Sequence, residues 1–422
     1  MMRVLTRSGI GGALLPDDLQ SEFADESPLE GTPSPIAPSQ DALPVRTSGY
    51  RGMASRIFFW AFGLLASASE WVFGLASMLT ALAILAAFPV LQFISLGYLL
   101  EATGSVIRTG KLASGFIGIR TAARLGGVVI ASWLLLLPVR YLGDVAFTAA
   151  IIDPNGPGAN RLRNLVLILT CLIGFHICMA IARGGRFRHF LWPFNFLLVF
   201  REIRKGNVYG RARDATWDLL ISMRLPYFFW LGLRGFIGAL FWLVLPVTLL
   251  ALGHAPIAIS PLFGFAGALW LAITVVYLPI MQARFAAENR FWALFEWREA
   301  RFVYGRAPWC ISLALIVALL SAIPLYLLKI EAVPAEAIWL PSLVFMAFMF
   351  PARIIMGWAI SQTRTRIEPR HWFFRWTGRL PIVPATLFYV LFVFLSQYFG
   401  WDGILGMYEQ HAFLLPVPFF GK

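Results

Sequence analysis

Apolar runs long enough to cross a bilayer recur along this chain, and that recurrence constrains its fold more than any motif. They lie at 72–100, 126–150, 164–183, 227–252, 259–282, 309–329, 338–360 and 382–400. About 20 apolar residues span the hydrocarbon core as a helix, and a helix satisfies its own backbone where lipid cannot. Composition agrees. The chain is 59% hydrophobic and 14% charged, whereas a soluble domain carries about 25% charged residues. The sequence therefore predicts an all-α, polytopic transmembrane helical bundle of eight spans, give or take one, with interfacial amphipathic helices and an internal repeat.

Between the runs, two kinds of connection alternate. Those at 101–125, 183–226, 283–308 and 361–381 are rich in Lys and Arg; those at 144–163, 253–258 and 329–336, with the end of the chain from 401, are poor in them. Strict alternation is the pattern of the positive-inside rule, so the basic connections are expected on the cytoplasmic side of a bacterial inner membrane. This explains the net charge of +13 without nucleic acid as a partner. The expected partners are membrane lipids, with anionic headgroups meeting the basic side.

Residues 1–50 are rich in Pro, Ser and acid, with "EGTPSPIAPSQ" at their centre. Such a stretch buries too little apolar area to offset its ordering entropy and reads as a disordered tail. The helical membrane domain occupies 51–400, and 401–422 forms an apolar tail. The start of the domain is ambiguous. If 72–100 crosses once, the N-terminal tail lies outside; Arg46, Arg51 and Arg56 favour a tail inside. An inside tail needs either an extra span from 57 or a re-entrant hairpin broken near Pro89.

The sequence holds two copies of one pattern. Arg-Glu-x-Arg precedes Val-Tyr-Gly-Arg-Ala at Arg201–Ala212 and again at Arg298–Ala307, with the pentapeptides 95 residues apart. Each copy comes after a stretch mixing aromatics with Arg, "RFRHFLWPFNFLLVF" and "ENRFWALFEW", which reads as a helix lying in the membrane interface. Phe291, Trp292, Phe295 and Trp297 are expected at headgroup level in the second. "RTGKL" at Gly110 and "WTGRL" at Gly378 are weaker echoes, which suggests repeat units of about 101–200, 201–295 and 296–375. Pro138, Pro246 and Pro324, in the spans after the first three of these sites, should loosen their helices. Gly in each copy suits a turn with positive φ. Tyr209 and Tyr304 should sit at the interface. Arg201, Arg204, Arg211, Arg298, Arg301 and Arg306 should face headgroup phosphates.

Polar residues inside apolar runs are costly and invite a functional reading. Arg353 is the most deeply placed, about ten residues from either end of its run. Arg234 lies near a basic end and can snorkel. Arg140 stands four residues before Asp144, which favours a local ion pair. His176 suits an interhelical hydrogen bond, and Glu70 interrupts the first run. Asp214 and Asp218 read as the solvated face of a surface helix. No Gly-x-x-x-x-Gly-Lys, His-Glu-x-x-His or Gly-x-Ser-x-Gly signature occurs, so neither a catalytic constellation nor a cofactor or metal site is expected.

The stretch "FPVLQFISLGYLLEATGSVIRTGKL" resembles an uncharacterised family of multi-spanning bacterial membrane proteins. A Pro-broken apolar hairpin there leads to Gly-Tyr-Leu and a basic Arg-x-Gly turn, matched here by Pro89, Gly97, Tyr98, Leu99, Leu100, Arg108 and Gly110. The resemblance implies a helical membrane protein and favours the re-entrant hairpin. It departs after residue 112, where this chain lacks the family's acidic, Trp-containing stretch. The functional expectation is a non-catalytic membrane-organising or lipid-interface protein. The alternative is a transporter or permease-like component, which requires an aqueous cavity lined by Arg353.

Overall fold

The computed structural model describes residues 50–154, 156–185, 187–192, 206, 210, 213–214, 217–218, 221–327 and 339–399. Both terminal tails fall outside these residues. The chain divides into two units after Phe59. Of the first, the described part is the opening ten residues of a helix; the second unit, from Trp60 onward, contains the helical bundle.

Twelve α-helices run in order among the described residues: α1 (Tyr50–Ala86), α2 (Gln92–Thr109), α3 (Ile119–Ile152), α4 (Pro157–Ala182), α5 (Phe187–Leu191) and α6 (Leu225–Leu252), then α7 (Ser260–Glu288), α8 (Trp297–Arg306), α9 (Pro308–Leu327), α10 (Trp339–Ser361), α11 (Trp372–Arg379) and α12 (Ile382–Phe399). Seven helical stretches among the described residues are long and apolar enough to cross a membrane, or eight if the bent pair α8–α9 forms one span. The expected all-α bundle of about eight spans is borne out. Their outward faces carry large apolar side chains such as Phe147, Leu167, Phe241 and Phe265, which acyl chains solvate as well as a protein core would.

The apolar run at 72–100 does not cross once. α1 ends at Ala86, residues 87–91 turn, and α2 runs back. Pro89 explains the break, because it offers no N–H to a helix and its ring clashes with the preceding turn. The Ser95 hydroxyl donates to the Leu82 carbonyl at 2.8 Å, and the Tyr98 hydroxyl lies 2.8 Å from Met78 Sδ. Trp71, well back along α1, meets Phe116 just beyond the end of α2, with ring centroids 5.1 Å apart. The two helices are therefore antiparallel. By contrast, the prolines inside α3, α6 and α9 (Pro138, Pro246, Pro324) leave those helices continuous.

α2 occupies the middle of the main core. Fourteen of its 18 residues are buried, and α6, α7 and α10 pack around it. Glycine makes this possible. A Cβ on Gly97 would stand 1.7 Å from the Phe228 carbonyl oxygen of α6, and one on Gly232 would stand 1.8 Å from that of Phe93. The two backbones cross where neither can carry a side chain, as small residues allow in membrane helices. α3 and α4 instead pair with each other and with α5 around a small second core of Ala131, Ala180 and Phe190.

Three of the four basic connections meet at one end of the bundle. Arg108, at the end of α2, donates to the carbonyls of Ala286 and Ala287 at the end of α7, at 3.1 and 3.3 Å. Arg364, just after α10, donates to the Arg108 carbonyl at 2.5 Å. Most of the fourth connection, 183–226, lies outside the described residues.

Candidate lipid interface at the basic end

The turns at this end repeat, though not in the register of the pentapeptide. α2 ends in Gly110 with φ 73°, whose N–H donates to Val106 O; α7 ends in Asn289 with φ 52°, whose N–H donates to Phe285 O. Each is followed by an extended basic residue (Lys111, Arg290), then a single 3₁₀ turn at Leu112–Gly115 or Phe291–Leu294, then Phe116 or Phe295. Gly110 thus corresponds to Asn289, not to Gly305. The left-handed cap is a position for Gly or Asn, the residues that tolerate it. Gly305 and Gly378 lie inside α8 and α11 and are buried. They serve close packing, since a Cβ on Gly378 would press on Pro308 at 2.7 Å.

The second Arg-Glu-x-Arg…Val-Tyr-Gly-Arg-Ala copy forms α8 and its junction with α9, where the axis turns by 110°. Arg298 and Arg301 are exposed on α8. Tyr304 is not an interfacial residue: it is 1% exposed. Its hydroxyl is 2.6 Å from Ser312 Oγ, and Ser312 donates to the Gly378 carbonyl. The sharp bend folds Tyr304 under the start of α9, where it ties α8 to α11. Arg306 turns back as well, donating to the Ile367 carbonyl at 3.0 Å with its guanidinium 4.3 Å from the Phe302 ring. Arg201, Arg204, Tyr209 and Arg211, from the first copy, lie outside the described residues.

The aromatic stretch before α8 is not one surface helix. Trp292 is 71% exposed, but Trp297 packs on Tyr277 at 4.1 Å and on Trp242 at 6.2 Å. The Trp242 indole in turn donates to the Leu294 carbonyl at 2.9 Å. These rings fasten the 3₁₀ turn to α6 and α7. α11 is the element that presents its rings outward: Trp372, Phe373, Phe374 and Trp376 are all exposed, on a helix that also carries Arg375 and Arg379.

Around α2 and α7 the basic end matches its charges. Glu101 of α2 is 6% exposed; it accepts from Arg108 at 2.5 Å and from the Tyr227 hydroxyl of α6 at 2.8 Å. Arg284 and Arg290 bridge Glu288 and Glu296 at 2.8–2.9 Å. The carboxylates hold the Arg290 guanidinium in its charged form, the hydrogen bond to Glu288 contributing most. Arg234 donates to Asn289 Oδ1 at 2.7 Å and lies 5.5 Å from the Phe285 ring.

Arg353 sits in the core of α10, 6% exposed, and donates to Gln282 Oε1 of α7 at 2.9 Å. Its backbone carbonyl accepts from Thr103 of α2 at 3.2 Å. Arg353 and Arg234 therefore both touch α7 but bond different partners. His176 is bonded to the Phe190 carbonyl at 2.9 Å in the α3–α4–α5 group, apart from Arg353. Arg140 is exposed, and among the described residues no ion pair joins it to the exposed Asp144. The i, i+4 spacing puts both on one helix face, which permits the pair without requiring it. Arg213 pairs instead with Asp214 at 2.9 Å, both exposed. Glu70 lines a cleft of about 620 Å³ with Arg120, Arg124, Phe73 and Phe187, away from Arg353.

Sequence reasoning passed over Glu101, Gln282 and Tyr227. Glu101 had a signal: an acid within an apolar stretch, seven residues before Arg108, on one helical face. Gln282 and Tyr227 had none, because their partners are distant in sequence.

Comparison with protein-family models, curated proteins and solved structures found no match. The fold defines the class: an all-α, multi-pass membrane protein.

Proposed function

We propose that this chain is a non-catalytic membrane-organising protein that grips the lipid interface through its basic end. The observation that carries the reading is α11, an eight-residue helix that exposes Trp372, Phe373, Phe374 and Trp376 beside Arg375 and Arg379. Rings at headgroup depth with guanidinium groups reaching phosphate are how an interfacial helix binds a bilayer. Trp292, Arg298 and Arg301 are exposed as well. The basic side is then the cytoplasmic face of a bacterial inner membrane.

The bundle interior supports this reading over transport. α2 fills its centre, and Arg353 is hydrogen-bonded to Gln282 rather than turned to the cleft at Glu70. The test uses the full chain in nanodiscs of neutral lipid with or without phosphatidylglycerol. Thermal stability should rise with the anionic lipid and lose part of that rise at high salt, which screens exposed charge. Replacing Trp372 and Trp376 by Ser should halve the rise or more. Equal stability in both lipids would sink the reading, and uptake of a solute by sealed proteoliposomes would favour the transport alternative.

A further inference from the structure

The arginines at the basic end fall into two groups. Arg108, Arg284 and Arg290 are paired with Glu101, Glu288 and Glu296. Arg370, Arg375 and Arg379, beside the α8–α9 junction where α11 packs, have no carboxylate partner among the described residues. Each is half-buried. The Nε of all three, and one terminal nitrogen of Arg379, are shielded from solvent with no acceptor among the described residues. A buried donor left without an acceptor costs about 1–3 kcal/mol, more when charged. Three such groups beside one junction are therefore an expensive arrangement for packing alone.

They share one neighbourhood. The Arg370 backbone N–H donates to the Gly305 carbonyl at 3.0 Å. Arg375 borders Gly305, where a Cβ would lie 3.6 Å from its Nε. The Arg379 guanidinium lies 5.1 Å from the Tyr304 ring. Arg375 and Arg379 are one turn apart on α11 and share a face. Glu368, two residues before Arg370, and Glu299 of α8 are exposed and make no ion pair among the described residues.

We propose that Arg370, Arg375 and Arg379 form a binding site for the phosphate of an anionic phospholipid, built around the second Val-Tyr-Gly-Arg-Ala copy. Guanidinium forks match phosphate oxygens in geometry and charge. The lipid source is indicated by α11 itself: exposed Trp372 and Trp376 flank the arginines, and α11 opens the apolar stretch Trp372–Leu395 that runs on into α12 as a candidate span. A phosphate held there lies at headgroup depth with its acyl chains along α12. The proposal rests on the lipid-interface reading and adds a discrete site to it.

The test measures lipid retention by native mass spectrometry of the full chain, purified from mixed phosphatidylglycerol and phosphatidylcholine micelles. The wild type should keep phosphatidylglycerol through a wash at high salt, which removes diffusely held lipid. R370Q/R375Q/R379Q should lower that retention about tenfold or more, the equivalent of losing one charge-assisted hydrogen bond. R161Q/R163Q, at exposed arginines near the start of α4 and away from the basic end, should leave it unchanged. R375K/R379K keeps the charge without the fork and covers the case of a misfolded triple variant; it should retain less than the wild type. Equal retention in the wild type and in whichever of these two site variants folds would overturn the site. So would displacement of the lipid by millimolar inorganic phosphate alone, which would point to a soluble ligand. If the stability gain with anionic lipid survives while site retention fails, the site alone is wrong; if the gain is absent, the wider reading falls with it.

Discussion

Glu101 places a carboxylate where water is scarce, and its environment decides what each neighbour is worth. The Tyr227 hydroxyl supplies one hydrogen bond, so Tyr227→Phe should cost about 1–2 kcal/mol. Arg108 supplies the counter-charge and also caps α7, so Arg108→Leu should cost more, about 2–3 kcal/mol. The E101L/R108L double variant should recover part of that loss, because no buried charge is then left unpaired. Thermal unfolding of the four proteins in one detergent checks the order; a double variant less stable than R108L would refute it. Arg353 and Arg234 were legible in the sequence as unusual residues, but their partners were not. Gln282 and Asn289 lie 71 and 55 residues from them in the chain, and only the packed fold brings them together. Tyr304 misled for a related reason. Its type and its Arg-rich surroundings suit an interface, while a 110° bend one turn later buries it.

Among the elements, spans were the most legible, because a long apolar run has few alternatives in lipid. The α1–α2 hairpin was half legible: Pro89 marked a break, but charge alone left the path of the chain open. The depth of α2 in the core was hidden, since its glycines have meaning only against α6. Gly97→Ala should therefore destabilise by about 3 kcal/mol, at the upper end of overpacking effects. Gly174→Ala in α4, where a Cβ meets nothing within 4 Å, should stabilise by about 1 kcal/mol through helix propensity. Thermal midpoints that move together would show that the α2–α6 crossing is not tight. The repeat teaches a similar lesson. Gly110 and Gly305 look alike as letters followed by a basic residue, yet one is a left-handed cap and the other a packing position.

For the whole molecule, the antiparallel α1–α2 hairpin returns Gly63 to the side of Lys111 and Arg366. Cysteines introduced at Gly63, Lys111 and Arg366 should react with an impermeant reagent from one side of sealed vesicles, and one at Asn160 from the other. Cys171, Cys178 and Cys310 would first be replaced by Ala. Labelling of Gly63→Cys from the Asn160 side would contradict the hairpin.

The central position of α2 also governs how the protein can be made. α2 is short, carries Glu101 and Arg108, and is not among the stretches apolar enough to cross a membrane by themselves. Its partners emerge much later: Arg353, whose carbonyl meets Thr103, comes 250 residues after it. While the ribosome is still translating α6 to α10, α2 has no finished core to enter, and a charged segment has little stability alone in lipid. Biogenesis must then shelter α2, at the insertion machinery or on the membrane surface, until α6, α7 and α10 close around it. A nascent chain truncated before α10 should accordingly be a preferred substrate for membrane quality control, even though each of its long spans has already been inserted.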